Sequence, residues 1–233
     1  LQSEDADIKM QMYNLDGSEG KMCGNGIRCF VSFGVKIGLL AKDSDTYLVE
    51  TASGILEVTP IWEHAQMVAA SLNMGQPRFR SSDVPFKLKG YDTLQDHYLE
   101  IEEQHFAISA LSMGNPHAVT VLETPINDFD LAHIGPIIEK HSIFPEQVNF
   151  EIINILSRDL IDLKVWERGS GQTLACGTGA CAAAVIAIKK GLVNNKVTVK
   201  LPGGDLEIHW EPGSDVYMKG PIATTFEGKY RLN

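Results

Sequence analysis

Met22-Cys23-Gly24-Asn25-Gly26 and Ala175-Cys176-Gly177-Thr178-Gly179 are one block written twice. Fifteen residues after each cysteine stands Gly-Leu, as Gly38-Leu39 and Gly191-Leu192. Further on, Gly54-Ile55-Leu56-Glu57-Val58 reads against Gly204-Asp205-Leu206-Glu207-Ile208. The offset is 153 residues at the cysteines and 150 at the later block, a slip of three. Agreement at one block is easily accidental; agreement at three, in order, indicates two related halves. The halves are expected to run from 1 to 122 and from 123 to 233.

Working outward, each block has a legible local structure. A β-like run precedes it, Ile8–Tyr13 in the first half and Leu160–Trp166 in the second. The cysteine sits in a glycine-rich turn, and a helix follows. In the first half Ile27, Phe30, Val31 and Val35 fall at helical spacing. In the second, the small apolar run Ala180–Ile188 suits a fully buried helix. Gly38 and Gly191 are natural C-terminal caps, and Lys189-Lys190 favours the negative end of the helix dipole. Strand pairs then follow: Tyr47–Thr51 with Ile55–Thr59, and Lys196–Leu201 with Leu206–Trp210, the latter around the turn Pro202-Gly203-Gly204. Elsewhere short strands are expected, including Met67–Met74, His105–Met113, Ala118–Leu122 and Val148–Ile153, with a modest helix near Leu131–His141. The fold class is α+β: two pseudo-symmetric β-rich halves, each wrapped around a central helix.

Composition excludes several alternatives. Of 233 residues, 44% are hydrophobic and 21% charged, ordinary for a globular chain and unlike disordered or collagenous ones. The longest apolar run, Ala180–Ile188, is half the length of a membrane span. The net charge is −10 and no more than two Lys/Arg stand together, which disfavours nucleic acid and anionic membrane as partners. Four cysteines do not make a disulfide scaffold, and their spacings contain no Cys-x-x-Cys, so no metal site is expected. A reducing, cytoplasmic location is the default expectation. The chain opens on Leu1 without a signal-like segment, and is expected to begin partway into a longer protein.

A thiol at a glycine-rich helix start has a specific chemistry. The first helical turn leaves N–H groups without partners and carries partial positive charge. A thiol there is expected to have a lowered pKa, and an anion is held nearby. Two such thiols suit inversion at a carbon stereocentre. One thiolate, on one face, removes a proton; the opposing thiol returns one. The carbanion delocalises into a carboxylate held by N–H donors at the helix starts, without need of a metal or pyridoxal group. Neither glycine turn is followed by the Lys-Ser/Thr of a phosphate-binding loop.

These residues resemble a known family. Asn14-Leu-Asp-Gly-Ser with Met22-Cys-Gly-Asn-Gly-Ile-Arg-Cys29 resembles the first signature of the diaminopimelate epimerases. Glu167-Arg-Gly-Ser-Gly with Ala175-Cys-Gly-Thr-Gly-Ala-Cys-Ala182 resembles the second, and Gly114-Asn-Pro-His117 and Val148-Asn149-Phe150 resemble two shorter signatures between them. The resemblance implies a cofactor-independent epimerase that interconverts L,L- and meso-2,6-diaminopimelate on the route to lysine and peptidoglycan. It implies Cys23 and Cys176 as the acid/base pair, and the N–H groups of Gly24, Asn25, Gly177 and Thr178 as the cradle of the reacting carboxylate. Asn14, Asn115, Asn149 and Arg168 would bind the distal end, Glu167 would lie near the amines, and His117 would support the site. The family normally opens with a further stretch bearing Gly-Asn-Asp-Phe, which supplies strands to the first half. That motif is not among these 233 residues.

Blander readings stand beside these. Cysteine is among the most buried residue types, and Cys29 and Cys181, one to two turns into their helices, are expected to be core. His117 alone would be a structural histidine. The asparagines serve equally as turn or cap residues, and Glu167-Arg168 as a solvated pair. Two functional alternatives remain: a proline or hydroxyproline racemase of the same chemistry, and a non-catalytic redox or binding module with an oxidisable Cys23–Cys176 pair. A small amino-acid substrate is the expected partner, and a homodimer is possible on exposed strand edges.

Overall fold

The computed structural model describes residues 1–13, 17, 19–20, 22–226 and 228. The chain forms two compact units, one of Leu1–Leu72 with the segment from Lys219 onward, the other of Asn73–Met218. The position between residues 122 and 123 lies inside the second unit.

The first unit contains strands β1 (Ile8–Lys9), β2 (Met12–Tyr13) and β3 (Glu19–Gly20), helix α1 (Gly24–Lys36), and strands β4 (Tyr47–Thr51), β5 (Gly54–Glu63) and β6 (Gln66–Asn73). β1 runs parallel to β4, with Ile8 opposite Val49; β4 and β5 form a hairpin, and β5 and β6 another. The expected single run Ile8–Tyr13 is two strands, because its ends have different partners: β1 bonds to β4 and β2 to β3. α1 buries Ile27, Val31 and Gly34, an i, i+4, i+7 stripe that gives the helix one core face.

The second unit contains β7 (His97–Ile101), β8 (Gln104–Ser112), β9 (Pro116–Val121), α2 (Leu131–Glu139), β10 (Asn149–Ser157), β11 (Leu160–Glu167), β12 (Gly171–Thr173), α3 (Gly177–Lys189), β13 (Lys196–Leu201) and β14 (Gly204–Trp210). Its sheet runs β7-β8-β9-β10-β11-β13-β14, with β12 on β11. The β9–β10 and β11–β13 pairs are parallel. A last strand, β15 (Val216–Pro221), carries the chain from the second unit back to the first. Its first residue exchanges backbone bonds with Met74 and Gly75, while Ile222 beyond it donates to Val68.

α3 is buried all round from Gly179 to Ile188 and packs against β8 to β11, β13 and β14. Its run of alanines lets these strands approach closely. α2 begins at Asp130, whose carboxylate accepts from His133 N, and packs over β10 to β12. Gly135 of α2 lies so close to Trp166 that a Cβ there would stand 2.7 Å from the indole. The helix ends at Glu139, two residues short of the expected His141. Among the described residues no helix is long and apolar enough to cross a membrane. The architecture is a mostly-sheet α+β fold with few helices.

Candidate active site

Both repeated cysteines cap helices. Cys23 (φ −136°, ψ 110°) precedes α1, and its sulfur accepts from Gly26 N at 3.3 Å. Cys176 (φ −125°, ψ 112°) precedes α3, and its sulfur accepts from Gly179 N at 3.4 Å. Each thiol thus fills the N-cap place usually held by a serine or aspartate oxygen. Gly24 and Asn25, and likewise Gly177 and Thr178, are the first two residues of their helices. Their N–H groups have no intrahelical acceptor and point out of the helix start, as an anion cradle requires. The Gly-Leu at the far end closes each helix in the same manner. Gly38 and Gly191 adopt φ +76° and +70°. The N–H groups of Gly38 and Leu39 bond to Val35 and Gly34, and those of Gly191 and Leu192 to Ile188 and Ala187, which are Schellman motifs.

In the second unit, Cys176 is buried and also lies 3.5 Å from Thr178 Oγ1. Burial pushes its thiol up to about 12, with the nearby Glu167 and Glu151 carboxyls adding to the effect. The lowered pKa expected from the helix start therefore does not hold here. The hydrogen bonds from Thr178 and Gly179 pull in that direction, but desolvation of the thiolate is larger. Cys176 at rest is a protonated thiol.

The residues around it form a connected scaffold. Asn115 sits in the turn from β8 to β9 after Gly114 (φ +93°). His117, on β9, bridges Asn115 and Glu151: its Nδ1 is 2.7 Å from Glu151 Oε1 and its Nε2 3.0 Å from Asn115 Oδ1. Asn149, directly opposite His117 in the β9–β10 register, is buried. It donates to Pro116 O at 2.8 Å and accepts from Arg168 N at 2.9 Å, so it staples the turn after β11 to the start of β9. Arg168 is exposed and donates to Glu146 O. Glu167 accepts a hydrogen bond from Thr173 Oγ1 across the β11–β12 pair. The turn is further held by buried Glu139, which accepts from Gly169 N and Trp166 Nε1 at 2.9 and 2.7 Å. Thus Asn115, His117, Asn149, Glu167, Arg168, Cys176, Gly177 and Thr178 all belong to the second unit.

The first unit holds Cys23, Gly24 and Asn25, all partly exposed; Asn14 lies outside the described residues. Arg28 is buried and donates to Gly24 O at 3.1 Å and Asn25 Oδ1 at 3.0 Å; among the described residues its Nε has no partner. Burial pulls its guanidinium below its ordinary value, while the charges of Cys29 and Cys23 oppose this. Cys29 itself is exposed, contrary to the expectation of a core residue, whereas Cys181 is buried. The reason is register. Arg28, not Cys29, stands five residues after the capping cysteine as Cys181 does, and Cys29 points away from the stripe of Ile27 and Val31.

Three contributors were not legible as site residues: Glu151, Glu139 and Arg28. Glu151 had one signal, an acidic residue inside the apolar run Val148–Ile153. Its partner His117 is far away in sequence, so only the β9–β10 register brings them together.

A family model described as "Diaminopimelate epimerase" matches residues 1–80 and 109–225. The diaminopimelate epimerase of Desulfitobacterium hafniense is 44% identical over 228 residues, covering 98% of this chain and 79% of its own. That of Methanococcus maripaludis is 40% identical over 230 residues, covering 98% and 82%. Among solved structures, a probable proline racemase from Agrobacterium radiobacter K84 superposes with a TM-score of 0.72 at 14% identity, over 100% of this chain and 74% of that one. A hydroxyproline epimerase from Agrobacterium vitis gives 0.69 at 13%, over 94% and 69%. At such identities these two structures bear on the fold alone. The sequence matches reach further, over nearly the whole chain and through both cysteine blocks, and by them this chain belongs to the diaminopimelate epimerase family.

Proposed function

We propose that the chain is a cofactor-independent amino-acid epimerase that interconverts L,L- and meso-2,6-diaminopimelate by proton transfer through Cys23 and Cys176. The observation that carries the reading is the duplicated cap: each sulfur occupies the N-cap of a 13-residue helix, beside two N–H groups free to bind a carboxylate. One cysteine, as thiolate, takes the α-proton while the other, as thiol, delivers a proton to the opposite face. The N–H groups of Gly24, Asn25, Gly177 and Thr178 hold the reacting carboxylate as charge spreads into it. Cys176, a neutral thiol at rest, begins as the donor. Glu167 faces the substrate amines, and Asn14, Asn115, Asn149 and Arg168 hold the distal amino-acid group, with His117 behind Asn115. The proposed ancestry is a duplication, giving two pseudo-symmetric halves around α1 and α3. It is supported by β1-α1-β4-β5 and β11-α3-β13-β14, each a parallel pair spanning a cysteine-capped helix and followed by a hairpin.

The test is α-proton exchange. Under reducing conditions in deuterated water, the protein should wash deuterium into L,L-diaminopimelate and form the meso isomer. Cys23→Ala and Cys176→Ala should each lose roughly 10²–10⁴-fold in rate. Turnover of proline but not of diaminopimelate would favour the racemase reading. Absence of any exchange would leave the redox or binding module.

A further inference from the structure

Asn115, His117 and Glu151 form a linear chain of polar side chains that ends at the first turn of α3. His117 and Glu151 have no solvent exposure, whereas Asn115 is partly exposed. Glu151 Oε1 lies against both His117 Nδ1 and Gly179, where a Cβ would come within 2.8 Å of it. Among the described residues, Glu151 Oε2 has no hydrogen-bond partner.

The protons on this chain follow from its geometry. With the Asn115 amide placed so that Oδ1 meets the ring, His117 Nε2 carries a hydrogen. His117 Nδ1 then has two options. It carries a second hydrogen and faces a carboxylate, or it offers a lone pair to a protonated carboxyl. The first option buries two full charges and leaves a carboxylate oxygen without a donor, which is costly even for a well-formed pair. The second leaves unpaired only a neutral carbonyl oxygen, a smaller cost. Burial pushes the Glu151 carboxyl up, His117 opposes this, and Glu167 adds to it. The other ionisable group against it, Cys176, is itself a neutral thiol at rest.

We propose that Glu151 is a positioning residue: as a neutral acid it donates to His117 Nδ1, holds His117 as the neutral Nε2–H tautomer, and so fixes the Asn115 amide with its oxygen inward and its NH2 outward. The outward NH2 is a two-donor hook for a substrate carboxylate. This rests on the reading of Asn115 as a substrate-binding residue. Glu151 acts through His117 and touches no reacting atom.

The test separates charge from hydrogen bonding. In Glu151→Gln the side-chain NH2 replaces the acid proton as donor to Nδ1, so the tautomer and KM should stay close to wild type. In Glu151→Leu that donor is lost. KM for diaminopimelate should rise roughly tenfold, with a smaller change in kcat, as Asn115 becomes free to rotate. Two-bond 1H–15N correlations of histidine-labelled full-length protein read the tautomer directly, without turnover. Expected is a neutral Nε2–H ring for His117 in wild type and in Glu151→Gln. An imidazolium, an Nδ1–H tautomer, or a Glu151→Gln variant as impaired as Glu151→Leu would overturn the proposal. If wild type turns over no diaminopimelate while the ring is neutral Nε2–H, the substrate reading fails and the tautomer assignment stands.

Discussion

Gly179 is the residue at which the site has least room. A methyl group there would stand 2.8 Å from Glu151 Oε1 and 3.3 Å from Cys176 Sγ, and neither neighbour is exposed enough to move into water. Gly179→Ala should therefore destabilise the protein by about 1–3 kcal/mol and cut activity. Its counterpart Gly26 faces the flexible end of Met10 at 3.2 Å, so Gly26→Ala should cost less. Urea midpoints of the two variants, measured side by side, check the order. Cys176 gives a second prediction at this scale. Its thiol ionises near 9 in the unfolded chain and at about 12 in the folded one, so the folded state keeps a proton that the unfolded state has lost. That stabilising contribution is whole below pH 9 and disappears as pH rises through 12. Between about pH 9 and 11 the stability of the wild type should fall more steeply than that of Cys176→Ala, as followed by urea titration at each pH. The cysteines were legible because a glycine-rich turn makes a capping side chain conspicuous. Glu151 was not, because a buried acid inside a strand is spelled like a surface acid, and what distinguishes it is a partner on another strand.

At the scale of elements, the helices were the most readable parts because their ends are written in residue types. Gly38 and Gly191 both adopt the left-handed conformation their positions promised. Gly191→Ala should cost about 1–2 kcal/mol, the penalty of a side chain at positive φ. Because α3 is buried from Gly179 to Ile188, the cost should appear in global unfolding. The check is the urea midpoint, with the slope unchanged. The strands were readable where alternation or an apolar run is clean, as in β4, β13 and β14, whose bounds match the expected ones at Tyr47–Thr51, Lys196–Leu201 and, within two residues, Leu206–Trp210. β5 outruns its expected end at Thr59 and continues through Pro60 to Glu63. Proline argues against a strand interior because it brings no N–H, yet here β6 pairs with it across the hairpin. The partner strand, not the local sequence, decides that extension. The same holds for Ile8–Tyr13, whose one apolar run divides between two partners.

At the scale of the molecule, the sequence repeat and the compact units follow different lines. The repeat is a pattern of local signals, whereas a unit is defined by which distant segments meet. Nothing in Lys219–Ile222 announces that it returns to Val68, yet Ile222 donates to Val68 O at 2.8 Å. The second unit is one continuous stretch, Asn73–Met218, while the first is made of two pieces on either side of it. Closing a contact across the whole intervening unit carries a larger chain-entropy cost than pairing neighbours. In pulse-labelled hydrogen exchange during refolding, the Ile222 amide should gain protection after the amides of β10 and β11. Simultaneous protection of both sets would show a single concerted step.

That return of the chain sets an order of events on the ribosome. The stretch that carries Cys176, His117 and Glu151 is continuous and holds the hydrogen-bond partners described for these three residues within itself. The lobe around Cys23, although translated first, must wait for its last ribbon, held meanwhile as an unfinished sheet with an unpaired border. The earlier half of the message is thus the later half to mature, and its bare border is where a chaperone would have most to protect.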